Sequence, residues 1–204
     1  LFAPGDDGRI PVAAVTGTNG KTTVVRLLSH LAATGGATVG TTCTEGVWIG
    51  ARQIDTGDCS GPKSARRVLA NPTVSTAVLE TARGGILREG CGFDRCDVAV
   101  VTNIATGDHL GLAVLNAADP LVVEMKKWCK GQVVYFGLDP AHAVIVEHLA
   151  QGGLAATVRE GWIVLCDGPR ETRLAHLDKV PLVHKGLVPF QVENALAAAA
   201  AAWR

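Results

Sequence analysis

The fold of this 204-residue chain is decided by the stretch PVAAVTGTNGKTT at residues 11–23. The apolar start of that stretch, residues 11–16, predicts a buried strand. A glycine-rich turn follows, and apolar residues then recur at helical spacing from Thr22 to Ala33, which predicts a helix. A strand, a glycine-rich turn carrying Lys-Thr and a helix, in that order, are typical of a phosphate-binding P-loop.

The turn has the features that phosphate binding needs. Gly17 and Gly20 lack the side chains that would keep a phosphate away from the backbone N–H groups. Lys21 is expected to reach the β- and γ-phosphates, and the Thr22 hydroxyl to bind Mg²⁺. Because Val15 stands where the strict pattern has its first glycine, an ordinary turn before a helix is the alternative, but we favour an ATP site. Its predicted residues are Gly17, Thr18, Asn19, Gly20, Lys21, Thr22 and Thr23.

Strand and helix patterns alternate beyond the P-loop. In the first half, strands are predicted at 38–44, 47–49, 74–79 and 97–103, with a short helix at 64–69. In the second half, the pattern predicts a strand at 133–136, a helix at 143–150, a β-hairpin at 154–158 and 162–165, and an Ala-rich helix at 192–203. We therefore predict an α/β fold: a mostly parallel sheet flanked by helices, with a small hairpin portion in the second half.

Composition excludes some classes of function. Lys plus Arg and Asp plus Glu are equal at 19 each, so no basic field favours nucleic acid as a partner. The sequence shows neither a signal peptide nor an apolar run long enough to cross a membrane, so no membrane partner is expected. None of the six cysteines forms a C-x-x-C pair, which favours free thiols in a reducing, cytoplasmic environment.

Polar side chains follow three of the predicted strands. Glu80 ends one strand, Asp108 and His109 follow another, and the P-loop follows the first. Because the carboxyl ends of parallel strands meet at one edge of a sheet, these groups are expected to line one crevice. Each group alone has an ordinary structural interpretation, since a carboxylate at a strand end is often merely solvated and a lone His is more often structural than a ligand.

Several blocks of the chain resemble the central ATPase domain of the Mur ligase superfamily. The general resemblance rests on residues 16–23, Glu80, the DHLG block at 108–111 and the NALA block at 194–197. A closer resemblance, to the cyanophycin synthetase branch, rests on GTT at 40–42, GDCSGP at 57–62, LETARGGILR at 79–88, GFD at 92–94 and GDHLGL at 107–112. The ETARGGILR block is highly specific to that branch.

The resemblance implies ATP-dependent amide ligation through an acyl phosphate. In that branch the polymer has an Asp backbone with Arg on each side-chain carboxyl; an ATP-grasp domain adds Asp, and the Mur-like part adds Arg. The implied partners are arginine, the aspartate polymer, and the ATP-grasp and C-terminal domains of a parent chain, with a homo-oligomer expected for the full-length enzyme.

The resemblance also implies roles for individual residues. Lys21 and Thr22 would serve the phosphates and a first Mg²⁺, and Glu80 and His109 would support Mg²⁺ at the γ-phosphate. Lys21, Glu80 and His109 are thus the catalytic candidates, and Thr22, Glu80 and His109 the metal candidates. Asn194 matches the residue that contacts the nucleotide base. Asp58 and Arg83 are candidate substrate-side groups.

The chain departs from the branch at particular places. Glu45 stands where an Asp is more common, and Leu112 runs directly into residues 113–120, where relatives have an intervening helical segment in which many Mur ligases carry a functional Lys. Both ends look cut. We therefore expect residues 1–204 to be the central ATP-binding domain of a longer enzyme, inactive in ligation on its own because a closing domain is lacking.

Two alternatives stay open at this stage. The chain can be another Mur-type ligase, of the peptidoglycan-precursor or folylpolyglutamate type, although the ETARGG block argues against it. It can also be a nucleotide-binding module that no longer catalyses. The presence of Lys21, Thr22, Glu80 and His109 together argues against such decay.

Overall fold

The computed structural model describes residues 7–102 and 111–203, apart from the side chains of Arg83 and Leu87. The strands are β1 (Val12–Thr16), β2 (Val39–Cys43), β3 (Gly46–Ile49), β4 (Arg52–Thr56), β5 (Thr76–Glu80), β6 (Val98–Val101), β7 (Leu112–Asn116), β8 (Val133–Gly137), β9 (Leu154–Arg159), β10 (Trp162–Asp167) and β11 (Arg170–His176). The α-helices are α1 (Lys21–Thr34), α2 (Pro62–Leu69), α3 (Arg83–Glu89), α4 (Pro120–Glu124), α5 (Ala143–Ala150) and α6 (Pro189–Ala202). Short 3-10 helices span Met125–Trp128, Leu177–Lys179 and Pro181–Gly186.

The strands form one sheet in the order β11-β10-β9-β8-β7-β6-β1-β5-β2-β3-β4. The central strands, from β2 across to β9, are parallel to one another. Antiparallel strands extend both edges, with β3 and β4 on one side and β10 and β11 on the other. This confirms the predicted mostly parallel α/β fold and the hairpin of β9 and β10.

Strand alternation divides the core between the two faces of the sheet. In β8, Val134 and Phe136 pack into a cluster with residues of α1 and α6, whereas Val133 and Tyr135 pack into a cluster with residues of α4 and α5. A third cluster joins α2 to β1, β3 and β5. Helices therefore cover both faces, as parallel strands buried on two sides require.

Helix α6 is buried nearly all round because most of its positions are Ala. Asn194 and residues 195–201 are all buried, and α6 lies against α1 as well as the sheet. Small side chains allow that close approach between helix and sheet. The result is that the first turns of α6 lie beside the P-loop at the amino end of α1. None of the helices in the described part of the chain is long and apolar enough to cross a bilayer.

The sequence prediction missed several elements. β4 (RQIDT) and β11 (RETRLAH) were not predicted, because both are exposed edge strands whose polar residues hide any apolar alternation. The strand β7 (LAVLN) was also missed, because periodicity alone cannot distinguish so short an apolar run from a buried helix segment. α3 and α4 are too short, at 7 and 5 residues, to show a helical period.

Candidate nucleotide-binding site

The P-loop lies where β1 passes into α1, as predicted. Gly17 has φ of 139° and Gly20 has φ of 83°, values that favour glycine and that turn the chain sharply before the helix begins at Lys21. A Cβ on Gly20 would also collide with the side-chain oxygen of Asn194. Both glycines are thus required by the backbone, which leaves the N-terminus of α1 open as an anion site.

A buried carboxylate lies directly beneath this helix N-terminus. The Glu80 side chain, at the end of β5, has no exposed surface, and its Oε2 accepts a 2.8 Å hydrogen bond from Thr22 Oγ1. The backbone N–H of Thr44 donates to the same oxygen at 3.3 Å, and the Thr22 and Thr44 hydroxyls are 3.0 Å apart. Lys21 Nζ lies 4.0 Å from Glu80 Oε1 and donates to the carbonyl of Thr18 at 3.1 Å.

Within residues 7–102 and 111–203, the buried atom Glu80 Oε1 has no hydrogen-bond partner. Such an orphaned atom is costly, because a buried charge is stable only when paired. Lys21 and the neighbouring hydroxyls compensate part of that cost, and a divalent cation would compensate the rest. This observation fits Mg²⁺, a hard ion that prefers oxygen ligands.

The residues that would hold Mg²⁺ here are Thr22, Thr44 and Glu80. Within residues 7–102 and 111–203 there is no group of three or more His, Cys, Asp or Glu side chains that could hold a metal alone. A magnesium ion at this place would therefore complete its shell with phosphate oxygens and water, as Mg²⁺ usually does. Thr44 was not predicted, although its place directly after β2 was a usable signal.

A hydrogen-bond relay ties the P-loop to the next two strand ends. The Thr102 hydroxyl, just past β6, donates to the carbonyl of Asn19 at 2.7 Å. Asn116, the last residue of β7, donates from Nδ2 to the carbonyl of Thr102 at 3.2 Å. The loop is thus held from both sides: by Glu80 through Thr22, and by the β6 and β7 ends through Thr102.

Beyond that relay lies a cavity of about 520 Å³. It is lined by Asn19, Gly20, Thr23, Thr102, Asn116, Phe136, Phe190, Glu193 and Asn194. Asn194 is buried and donates from Nδ2 to Gln191 Oε1 at 3.1 Å, so its amide orientation is held from within α6. A cavity next to a P-loop, with two phenylalanines and several hydrogen-bonding side chains in its walls, has the size and chemistry of a nucleoside pocket.

Asp58 lies on the other side of the P-loop, in the loop before α2. Its Oδ1 accepts hydrogen bonds from Ser60, at 2.7 Å from the hydroxyl and 3.1 Å from the backbone N–H. These bonds lower the pKa of Asp58, and the nearby charge of Lys21 adds to that effect. The backbone N–H of Ala82 bonds to the Ser60 carbonyl at 3.1 Å, which anchors this loop at the start of α3.

The remaining predicted residues are placed less fully. Arg83 is the first residue of α3, and its side chain lies outside the described part of the structure. Asp108 and His109 also lie outside the described residues. Glu45 forms an exposed ion pair with Arg26 on α1. The structure therefore brings Lys21, Thr22, Glu80 and Asn194 to one edge of the sheet. Asp58 lies close enough to Lys21 for the lysine charge to lower the pKa of Asp58.

Sequence reasoning missed the residues that complete this edge. They are Thr44, Thr102, Asn116, Phe136, Phe190 and Glu193. Thr102 and Asn116 each stand at the end of a strand, the same signal that singled out Glu80. Phe190 and Glu193 lie one helical turn apart, and Asn194 is four residues after Phe190, so all three share one helix face.

Comparison with known proteins places these features in a wider context. Residues 15–112 match the family model of the Mur ligase middle domain. The chain is 43% identical, over its full length, to a cyanophycin synthetase from Crocosphaera subtropica, of which it covers 26%. That alignment runs over 228 positions against the 204 residues of this chain, so the relative has additional residues within the matched region. The chain spans about a quarter of the length of such relatives.

Solved structures share the fold. A UDP-N-acetylmuramoyl-L-alanyl-D-glutamate–2,6-diaminopimelate ligase superposes over 95% of this chain and 43% of its own, with a TM-score of 0.68 and 20% identity. E. coli FolC in complex with DHPP and ADP matches over 95% of this chain and 53% of its own, with a TM-score of 0.55 and 16% identity. At these identities the likeness concerns the fold alone.

Proposed function

We propose that this chain, which matches the Mur ligase middle domain over residues 15–112, binds ATP with Mg²⁺ and activates a carboxylate for amide formation. The proposal assigns residues 1–204 to the central ATP-binding domain of a cyanophycin synthetase-like ligase. The 43% identity to cyanophycin synthetases along the whole chain supports this branch. The proposal also includes an ATP-grasp domain and a C-terminal domain in the full-length enzyme, and a homo-oligomeric state for that enzyme.

The observation that carries the proposal is the cluster of Lys21, Thr22 and Glu80. A wholly buried carboxylate with an orphaned oxygen lies beneath a helix N-terminus, and an ammonium group stands 4.0 Å away. The contacts with Lys21, Thr22 and Thr44 compensate only part of the cost of burying this charge. A bound cation and polyphosphate would compensate the rest, because they pair with Glu80 and Lys21 respectively.

The residues of the chain would act by position and charge. The backbone N–H groups of the loop from Gly17 to Thr22 would hold the β-phosphate, and Lys21 would neutralise charge that grows on the oxygens of the transferred phosphoryl group. Mg²⁺, held by Thr22, Thr44 and Glu80, would supply Lewis-acid stabilisation of the same oxygens. His109 is proposed to support the cation at the γ-phosphate.

The chemistry is phosphoryl transfer followed by acyl transfer. A substrate carboxylate attacks the γ-phosphorus, the bond to the bridging oxygen of ADP breaks, and an acyl phosphate forms. The amine of the second substrate then attacks the acyl carbon and releases phosphate. Asp58 and Arg83, on the far side of the P-loop from the nucleoside cavity, are the proposed substrate-side groups.

The proposed substrates are arginine and an aspartate polymer, on the basis of the similarity to cyanophycin synthetases. The test uses the complete protein that carries this chain, incubated with ATP, Mg²⁺, arginine and a β-Asp-Arg primer that ends in Asp. We expect the primer mass to rise by one arginine with one ADP released, and a Lys21→Met variant to do neither. Turnover of muramyl peptides or folates, with the Asp-ended primer ignored, would contradict the branch assignment.

A further inference from the structure

One carboxylate in the nucleoside cavity, that of Glu193, has no partner among the residues that the structure describes. Glu193 lies on α6, half-buried, and lines the cavity next to Phe190 and Asn194. Among the described residues, none of the hydrogen bonds or ion pairs involves its side chain. Burial raises the pKa of Glu193. A half-buried acid without a partner, in a cavity shaped for a ligand, is suited to a hydrogen-bond donor on that ligand.

The position of Glu193 along α6 indicates which part of a nucleotide it meets. This step rests on the proposed function, in which the phosphates lie on the P-loop. Asn194 contacts Gly20, so the sugar that follows the phosphates lies at that end of the cavity. Phe190 lines the same cavity one turn earlier on the same helix face, and its side chain is 62% exposed. An exposed aromatic ring on a cavity wall is a stacking surface for a planar base.

We propose that Glu193 is a specificity-determining residue that selects adenine by accepting a hydrogen bond from its 6-amino group. A carboxylate accepts hydrogen bonds and cannot donate them, so it favours the 6-amino group and repels a 6-oxo group at the same place. The adjacent Asn194 carries both a donor and an acceptor. An amide would therefore distinguish these two groups less sharply than a carboxylate.

The test compares three nucleotides on the purified protein and on Glu193→Gln. ATP carries the 6-amino group, ITP carries a 6-oxo group, and purine riboside triphosphate carries only hydrogen. We expect the unmodified protein to bind ATP about tenfold or more tightly than either analogue, since a hydrogen bond to a charged group has about this effect. In Glu193→Gln, whose amide donates to a 6-oxo group, the preference for ATP over ITP should fall about tenfold.

Controls separate this inference from the proposed function. Glu147→Gln, on α5 and outside the nucleoside cavity, should leave all three affinities unchanged. If the unmodified protein binds ATP but Glu193→Gln keeps the same preference over ITP, the assignment of Glu193 is overturned and the ATP site stands. If Glu193→Gln instead changes discrimination between ATP and 2′-deoxy-ATP, the carboxylate faces the ribose, which also overturns it. If the unmodified protein binds none of these nucleotides, the proposed function itself fails.

Discussion

The P-loop divides the carboxyl edge of the sheet into two regions of opposite construction. On the side of β5 and β2, Thr22, Thr44 and Glu80 are packed within hydrogen-bond distance of one another around a buried charge. On the side of β6, β7 and β8, the strand ends open into a cavity of about 520 Å³ with Phe136 and Phe190 in its walls. The first region suits a small cation and phosphate oxygens, and the second suits a planar base.

The difference shows how one loop serves two kinds of recognition. In the phosphate region, binding depends mainly on charge, so single substitutions should reduce nucleotide affinity strongly and in a way that depends on Mg²⁺. In the nucleoside region, binding depends mainly on stacking and shape, so single substitutions should reduce nucleotide affinity less and in a way that depends on the base. Inorganic triphosphate, which has phosphates but no base, separates the two regions experimentally.

The largest effect is expected for Lys21→Met, which keeps the aliphatic stem and removes the charge. Removing one partner of a buried charge contact costs about 2–5 kcal/mol of binding free energy. Both ATP and inorganic triphosphate should lose affinity in calorimetric titrations. Lys127→Met, an exposed lysine paired with Glu124, is the matched control and should bind both ligands normally. Equal loss in the control, or none in Lys21→Met, would contradict the phosphate assignment.

Glu80→Gln should act chiefly on the metal dependence of binding. Loss of a carboxylate at the proposed cation site should weaken Mg²⁺ affinity on the order of 10–100-fold, by analogy with changes around metal ligands. Titration of Mg²⁺ into the protein with ADP measures it. Glu89→Gln, an exposed acid at the end of α3, is the control. An unchanged Mg²⁺ midpoint in Glu80→Gln would mean that the cation binds elsewhere.

Phe190→Ala tests the nucleoside region. Loss of stacking should cost about 1–3 kcal/mol of ATP binding and leave inorganic triphosphate unaffected. Leu187→Ala removes a side chain that is 81% exposed just before the same helix and does not line the cavity. It should bind both ligands as the unmodified protein does. If Phe190→Ala weakens inorganic triphosphate as much as ATP, the two regions are not separate.

Thr102→Val should have the smallest effect, because it removes only the hydroxyl's hydrogen bond to the carbonyl of Asn19 at 2.7 Å and its longer one to the carbonyl of Thr16 at 3.3 Å. One such bond contributes about 0.5–1.5 kcal/mol, and because it positions the P-loop, both ATP and inorganic triphosphate should weaken slightly. Thr157→Val is a close control, since Thr157 is also a buried threonine, but its hydroxyl has no hydrogen-bond partner among the described residues. Equal effects from the two variants would remove any special role for Thr102.

The two regions also differ in how far they could be predicted from sequence. Most of the phosphate region lies in one stretch of sequence. Residues Gly17 to Thr22 contain the glycines of the turn, the lysine that would bind phosphate and the threonine that would bind Mg²⁺. Glu80 was predicted because it ends a strand. Thr44 was missed because its role depends on β2 lying beside β5, a pairing between distant parts of the chain. His109 stays a prediction, since it lies outside the described residues.

The nucleoside region is assembled from distant segments and was mostly missed. Asn19, Gly20 and Thr23 were predicted as part of the P-loop stretch; of the other lining residues only Asn194 was predicted, and it came from resemblance rather than from a pattern in the residues. Phe190 precedes the predicted start of the Ala-rich helix, and Glu193 lies in its first turn. A single Phe or a single Glu at such a position does not indicate a binding site. Their importance becomes visible only when α6 packs beside the P-loop, with Gly20 against Asn194.

The most direct measurement is a crystal structure with Mg²⁺ and a non-hydrolysable ATP analogue. The account predicts phosphates on the loop from Gly17 to Thr22, a cation that contacts Thr22 and Glu80, and a base stacked on Phe190. A nucleotide whose base lies elsewhere, or a cation without contact to Glu80, would contradict the division of this edge into a phosphate region and a nucleoside region.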